Sequence, residues 1–326
     1  MQVQVLLSAP VKRKPKITFG LYFFKYCFLA YEINRDYYFT GFFIAKARKI
    51  LYNIIGFKSN SYKYGKKMNY TLITGASGGI GLELAYLFAK DGHNLILVAR
   101  SGDKLARIKD ELERTYGISA QTAVMDLSEK GAADELFKLT EESGFKIDNL
   151  VNNAGFANWG AFLSSDWDKQ QRLMTLNSEN LVRLTYLYGR AMKAAGTGRI
   201  LNIASVAAFC AGPYMSLYYA SKSFVVSFSQ AVHEELLKTG VTVTCVCPGP
   251  TVTDFEKRAE MKNSRMFTFF RPASAKSVAK RSYRAMQKGK PLVYHSYVTK
   301  LGNIASRLLS RRVGRKFAKF INGKDI

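Results

Sequence analysis

The sequence predicts an α/β fold built on a doubly wound parallel sheet, in a single domain with an extension at each end. Three observations carry this. Short apolar runs alternate with helical stretches from residue 69 onward. The runs are apolar at nearly every position, as strands buried on both faces are, instead of at every second one. A glycine-rich turn joins the first run to the first helical stretch, where open α/β sheets receive their ligands.

Each element follows in order. NYTLITG (69–75) is the first strand, and IGLELAYLFAKDG (80–92) is a helix closed by Gly92. NLILVAR (94–100) is the second strand. DKLARIKDELERTYG (103–117) is an amphipathic helix that stops at Gly117, with Asp103 expected to cap it. SAQTAVMDLS (119–128) holds the third strand, EKGAADELFKLTEESG (129–144) a helix and IDNLVNNAG (147–155) the fourth strand. One long helical region is expected over 166–195, a fifth strand over 198–205, a helix over 216–239 and a sixth strand over 241–249. The tail adds a helix over 272–289, a strand over 291–295 and a basic helical stretch over 300–321. In that last stretch Leu301, Ile304, Leu308, Leu309, Val313, Phe317 and Phe320 recur at helical spacing with cations between them. It reads equally as a helix docked on the body with a wet cationic face, and as a membrane-surface or lid helix. The domain limits are therefore 1–68 for a basic, aromatic extension, 69–296 for the sheet domain and 297–326 for the tail.

Charge is distributed unevenly. The formal net charge is +25. Residues 1–69 hold 13 Lys/Arg against 2 Asp/Glu (+11), residues 70–255 hold 17 against 19 (−2), and residues 256–326 hold 19 against 3 (+16). Basic flanks around a near-neutral body, with no recognised nucleic-acid module, argue against a nucleic-acid binder. Such flanks suit peripheral contact with an anionic membrane, or are simply a solvated face. ITFGLYFFKYCFLAY (17–31) is too short to span a bilayer and Lys25 interrupts it. Residues 1–67 read as an interfacial anchor, as a poorly ordered extension, or as sequence outside the natural protein, since Met68 directly precedes the first strand. Cys27, Cys210, Cys245 and Cys247 form no disulfide framework, and Cys245 and Cys247 alternate along a strand as small core residues. This fits a reducing, cytoplasmic setting, with membrane association at most peripheral. His93, His233 and His295 lie far apart without metal-ligand spacing, so no metal site is expected.

The first candidate site is TGASGGIG, residues 74–81. Glycines let the chain turn tightly and let backbone N–H groups approach a phosphate, and the following helix start favours an anion. The second is SLYYASKS, residues 216–223, where two tyrosines precede Lys222 by three and four positions. Both spacings share a helical face, so geometry alone does not choose between Tyr218 and Tyr219.

The pattern T-G-x-x-x-G-x-G, with Gly75, Gly79 and Gly81, resembles the short-chain dehydrogenase/reductase family rather than the G-x-G-x-x-G fingerprint. NNAG at 152–155, Ser205, Tyr-x-Ala-Ser-Lys at 218–222 and PGPTVTDF at 248–255 follow in that family's order, over roughly residues 69–255. The resemblance implies a Rossmann-type fold and an NADP(H)-dependent oxidoreductase that interconverts a carbonyl and a secondary alcohol. It selects Tyr218 as acid/base, because the motif is Tyr-x-x-x-Lys with a serine thirteen residues upstream, and leaves Tyr219 as a packing residue. It further implies that Ser205 donates to the substrate oxygen, that Lys222 also bonds the nicotinamide ribose, and that Asn177 supports Lys222. A tyrosine titrating near ~10 is a reluctant partner at neutral pH, so the Lys222 ammonium is expected to lower its pKa. The cofactor contacts so implied are Gly75, Ser77, Gly79, Ile80, Gly81, Arg100, Ser101, Asp126, Asn153, Ala154, Gly155, Tyr218, Lys222, Pro248, Gly249, Thr251 and Thr253.

An acid at the end of the second strand reads a ribose 2′-hydroxyl. Arg100 and Ser101 stand there instead, and a cation suits a 2′-phosphate, so NADP(H) is expected ahead of NAD(H). Aromatic and Met-rich segments (Phe156, Ala157, Trp159, Phe162; Phe209, Pro213, Tyr214, Met215; Phe255, Met261, Met266, Phe267, Phe269, Phe270) are expected to wall a pocket for an apolar ketone. The tail is similar to the basic C-termini of steroid and long-chain ketone reductases in the family, and the resemblance implies a homo-oligomer through the long helices over 166–195 and 216–239. A dinucleotide-binding sensor on the same fold is the rival reading, against which the intact Ser–Tyr–Lys set stands.

Overall fold

The computed structural model describes residues 69–323 except 254, 256–258, 260–264, 266–268 and 309. The extension 1–68 lies outside the described residues, as do Met261, Met266, Phe267 and Leu309.

A seven-stranded parallel sheet forms the body. Its strands are β1 (Asn69–Thr74), β2 (Asn94–Ala99), β3 (Ala120–Val124), β4 (Lys146–Asn152), β5 (Gly198–Ile203), β6 (Val241–Cys247) and, at the far edge, the strand Leu292–Tyr294. The spatial order is β3-β2-β1-β4-β5-β6 and then Leu292–Tyr294, all parallel. The order reverses between β1 and β4, which opens a crevice at their C-terminal ends. Leu72, Leu97, Leu150, Leu201 and Val246 are fully buried, as strands covered on both faces require.

Helices α1 (Gly79–Lys90), α2 (Gly102–Tyr116) and α3 (Ala132–Glu142) connect the first four strands. Gly117 ends α2 in the left-handed region (φ 67), where glycine has no Cβ to clash. Asp103 sits within the first turn of α2 and does not cap it; Ser101 holds the cap position without a side-chain hydrogen bond.

The long helix expected over 166–195 runs without a gap from 167 to 195 but carries a π-helical turn. It consists of α4 (Trp167–Met174), a π-helical turn (Thr175–Glu179) and α5 (Asn180–Ala195). The extra residue of a π turn rotates its side chains relative to a regular helix, and here it places Asn177 inward with no exposed surface. After β5, a 3₁₀ turn (Val206–Phe209) precedes α6 (Ser216–Glu235). Short paired strands β7 (Thr251–Val252) and β8 (Ala273–Ser274) lead to α7 (Ala275–Gln287) and the edge strand, now β9.

The basic tail is two helices instead of one, α8 (Tyr297–Leu308) and α9 (Arg311–Asn322). Ser310 breaks them: its hydroxyl accepts from the Val313 amide at 3.4 Å and starts a new helix. Ala318, Ile321 and Asn322 of α9 are buried against the body.

Candidate active site

The glycine turn occupies the crevice between β1 and β4. Gly75 and Gly79 adopt φ of 66° and 58°, which a side chain would strain. A Cβ on Gly81 would stand 2.3 Å from the Gly75 carbonyl oxygen, so only glycine lets α1 start so close to the turn. The first turn of α1 has no side-chain cap, and its Gly78, Gly79 and Ile80 line a cleft of about 740 Å³. Thr74 stitches the two strand ends together. Its hydroxyl donates to Val151 O (3.2 Å) and accepts from the Asn153 (2.9 Å) and Ala154 (3.0 Å) amides. The Asn153 carboxamide donates back to Thr74 O at 2.9 Å, so that side chain holds the turn as well as lining the cleft. A cradle of backbone N–H groups where a Cβ has no room fits the diphosphate of a dinucleotide.

Ser205, Tyr218 and Lys222 meet on the floor of the same cleft. Ser205 stands two residues past β5, its hydroxyl accepts from the Ala207 amide at 3.1 Å, and it faces the same cleft as Tyr218. Tyr218 and Lys222 lie one turn apart on α6, both nearly fully buried. Lys222 Nζ donates to Ile203 O at 2.9 Å and lies 5.8 Å from the Tyr218 ring centre. Asn177 grips the Phe156 backbone through both amide atoms, accepting from its N–H (3.2 Å) and donating to its carbonyl (2.9 Å). A Cβ on Gly155 would come 3.0 Å from Asn177 Oδ1 and 3.5 Å from Lys222 Nζ, so this glycine lets Asn177 and Lys222 approach each other.

The expected lowering of the Tyr218 pKa is overturned. Burial pushes it up to about 12 and Ser205 opposes this, while the Lys222 ammonium donates to the Ile203 carbonyl. Burial also pulls Lys222 down to about 8, against a smaller upward pull from Cys245 and then Cys247.

At the rim, Arg100 directly follows β2 and Asp126 lies two residues beyond β3. Asp126 accepts from the Ser128 amide (2.9 Å) and hydroxyl (2.7 Å). Its other oxygen pairs with Arg172 at 2.7 Å and Arg100 at 3.5 Å. Burial alone would raise the Asp126 pKa, but the Ser128 hydrogen bonds and then the two guanidiniums leave it lowered. Arg172 was not singled out in the sequence because it belongs to a helix, α4, remote from every motif.

All the expected cofactor contacts line the cleft except Gly81, which is buried behind the turn, and Asn177 likewise stands behind its wall. Of the expected substrate wall, Phe156, Met215 and Phe255 line the cleft. Phe209 packs on Tyr294 instead, Phe162 is 46% exposed, and Phe269 joins Phe317 and Phe320 in an exposed aromatic group. Tyr219 also lines the cleft, and it is more than packing: its hydroxyl donates to Asn322 at 3.1 Å. No group of three or more potential metal-ligating side chains exists among the described residues, and none of their helices is long and apolar enough to cross a membrane.

A family profile described as short chain dehydrogenase matches residues 69–264. The chain is 36% identical over 196 residues to a very-long-chain 3-oxoacyl-CoA reductase of Neurospora crassa, covering 58% of each protein. It is 32% identical over 211 residues to mouse 17-beta-hydroxysteroid dehydrogenase type 3, covering 64% of this chain and 68% of that protein. The alignment thus spans little more than half the Neurospora relative. A short-chain dehydrogenase from Sphingobium yanoikuyae, solved in complex with NADPH, superposes with a TM-score of 0.66 at 30% identity, over 74% of this chain and 93% of that one. With the parallel sheet, the glycine cradle and the Ser205–Tyr218–Lys222 floor already in place, the match over residues 69–264 identifies this chain as a member of the short-chain dehydrogenase family of oxidoreductases.

Proposed function

We propose that this protein is an NADP(H)-dependent reductase that interconverts an apolar ketone and its secondary alcohol. The observation that carries the reading is the meeting of Ser205, Tyr218 and Lys222 on one cleft floor, at the end of a glycine cradle for a dinucleotide. The bound nicotinamide would supply or accept the hydride. Ser205 would donate to the substrate oxygen and stabilise its growing charge. Tyr218 holds its proton at neutral pH and would pass it to the alkoxide from hydrogen-bonding distance. Lys222 and Asn177 would keep the floor cationic and ordered.

Phe156, Met215, Tyr219 and Phe255 on the cleft wall support an apolar substrate. Arg100 at the rim, 62% exposed at its side chain, supports preference for a 2′-phosphate, and so does likeness to an NADPH-bound structure. The relatives' names point toward acyl-CoA or steroid ketones. Trp167, Tyr186 and Phe224, each about half exposed on α4, α5 and α6, support a homo-oligomer through those helices. The exposed Phe269, Phe317 and Phe320, flanked by the α9 cations, support peripheral docking on an anionic bilayer.

The test follows NADPH oxidation with short aldehydes, steroids, 3-oxoacyl thioesters and long-chain ketones, with Tyr218→Phe beside wild type. Turnover that drops at least ~10³-fold in the variant while NADPH still binds is the expected result. NADPH binding without turnover on any compound would move the sensor reading to the front.

A further inference from the structure

Asn322, the last residue of α9, has no exposed surface. Its side-chain nitrogen, side-chain oxygen and backbone carbonyl each reach a different segment. Its side-chain nitrogen donates to Pro213 O at 3.0 Å, its side-chain oxygen accepts from the Tyr219 hydroxyl at 3.1 Å, and its backbone carbonyl accepts from Trp159 Nε1 at 2.7 Å. These partners lie 109, 103 and 163 residues away in the chain. They belong to the two loops that follow β4 and β5, and to the tyrosine beside Tyr218.

The clasp continues through neighbours. The Gly160 amide donates to Tyr214 O at 2.9 Å and ties the two loops directly. Tyr214 is held at φ 66°, a conformation a bulky side chain adopts only when its surroundings impose it. Gly323 lies close against it: a Cβ there would stand 2.8 Å from the Tyr214 ring, so glycine is what leaves room for the tyrosine. The strained residue is followed at once by Met215, which lines the cleft, and Met215 accepts the Tyr219 amide at 3.0 Å. Ala318, one turn earlier on α9, is buried in the same apolar cluster as Met215, Tyr218 and Tyr219. None of the clasp residues belongs to the glycine turn or to the Arg100–Asp126 rim.

We infer that Asn322 is a specificity-determining positioning residue, through which the C-terminal helix fixes Met215 and Tyr219 as the substrate wall beside Tyr218. It touches neither the reacting atoms nor the cofactor cradle. It acts by holding two loops and one tyrosine in register, so its loss changes which carbonyl compounds are accepted. Burial makes the clasp stringent, because a buried donor or acceptor left without its partner keeps its full desolvation cost. The inference rests on the reductase reading, and its test separates the two.

Asn322→Asp keeps the shape but places a carboxylate oxygen against the Pro213 carbonyl, so one arm becomes repulsive. Tyr219→Phe removes the other arm alone. Each is compared with wild type using 2-dodecanone and 2-butanone as long and short probes, NADPH binding by fluorescence titration, and hydrogen exchange of peptides covering residues 156–165 and 206–216. The expected result is a fall of about tenfold in the ratio of kcat/KM for 2-dodecanone over 2-butanone, carried by KM, in both variants. NADPH affinity stays within about twofold, and exchange accelerates in those two loops and not over residues 69–90. An unchanged ratio with a lowered melting temperature would make Asn322 a purely structural anchor and overturn the inference. If wild type turns over neither ketone, the reductase reading loses these substrates. The inference then stands or falls on exchange: unchanged protection in both loops sinks it.

Discussion

Tyr218 and Lys222 are displaced from their free pKa values in opposite directions, and burial is the main cause of both. Tyr218, pushed up to about 12, keeps its proton across the physiological range, as the proposed donor to a developing alkoxide would have to. Lys222, pulled down to about 8, is cationic at pH 7 and loses its charge as pH rises through that value. The reduction rate should therefore be nearly flat from pH 6 to 7.5 and fall on an alkaline limb near pH 8. Stability moves the other way. The unfolded chain binds this lysine's proton up to about 10.5, so between about 8 and 10.5 the folded state gains stability from this group as pH rises. Measuring kcat/KM and melting temperature over the same pH series separates the two. A rate still flat at pH 9.5 would show that the Lys222 charge does not matter to turnover. Ser205, Tyr218 and Lys222 were legible in the sequence, because their chemistry is written in one motif and a fixed spacing. The task of Tyr219 was not, since its partner Asn322 is 103 residues away and no local pattern links them.

At the scale of elements, the loop ends of β2 and β3 form one rim of the cleft. The Arg100–Asp126 pair is 3.5 Å long, with the Arg100 side chain 62% exposed. Such a solvated pair is weak, so Arg100 can be redirected to a phosphate at small cost. Arg172 is the firmer partner of Asp126 at 2.7 Å and also holds Glu129 at 3.0 Å. Arg100→Ala should raise the KM for NADPH about tenfold or more and leave that for NADH within about twofold, read from initial rates with each dinucleotide. An equal change for both would remove Arg100 from 2′-phosphate recognition. Strands and most helices here follow from hydrophobic pattern and glycine stops. Two irregularities are hidden by periodicity that continues across them: the π turn within the long helix and the break between α8 and α9. The π turn at Thr175–Glu179 accompanies the contact of Asn177 with the Phe156 backbone, and the break at Ser310 comes from a side-chain cap that an otherwise helical pattern conceals.

At the scale of the molecule, the tail joins positive charge to exposed apolar side chains among the described residues. On α9, Ala318, Ile321 and Asn322 face the body, while Val313, Phe317 and Phe320 are each nearly half exposed. Arg311, Arg312, Arg315, Lys316 and Lys319 fill the remaining face, and all are exposed. Phe269 extends the aromatic patch, and Arg265 lies 4.6 Å over the Phe320 ring. Leu301, Ile304 and Leu308 of α8 are exposed as well, at 62%, 43% and 82%. An apolar ridge beside a row of cations is the pattern of a helix that lies in a lipid interface, and each cation near an anionic surface adds about 1 kcal/mol of attraction. The ridge and the Asn322 clasp occupy different faces of the same helix, so bilayer docking and wall positioning are compatible. The protein should co-sediment with vesicles of phosphatidylcholine and phosphatidylglycerol, bind pure phosphatidylcholine weakly, and be released as salt rises toward 0.5 M, where screening shortens to a few ångströms. Phe317→Ser with Phe320→Ser should lower vesicle binding at least fivefold while leaving the cations in place. Full binding by that double variant would transfer the lipid contact to another basic segment, such as residues 1–68, and strip α9 of this role.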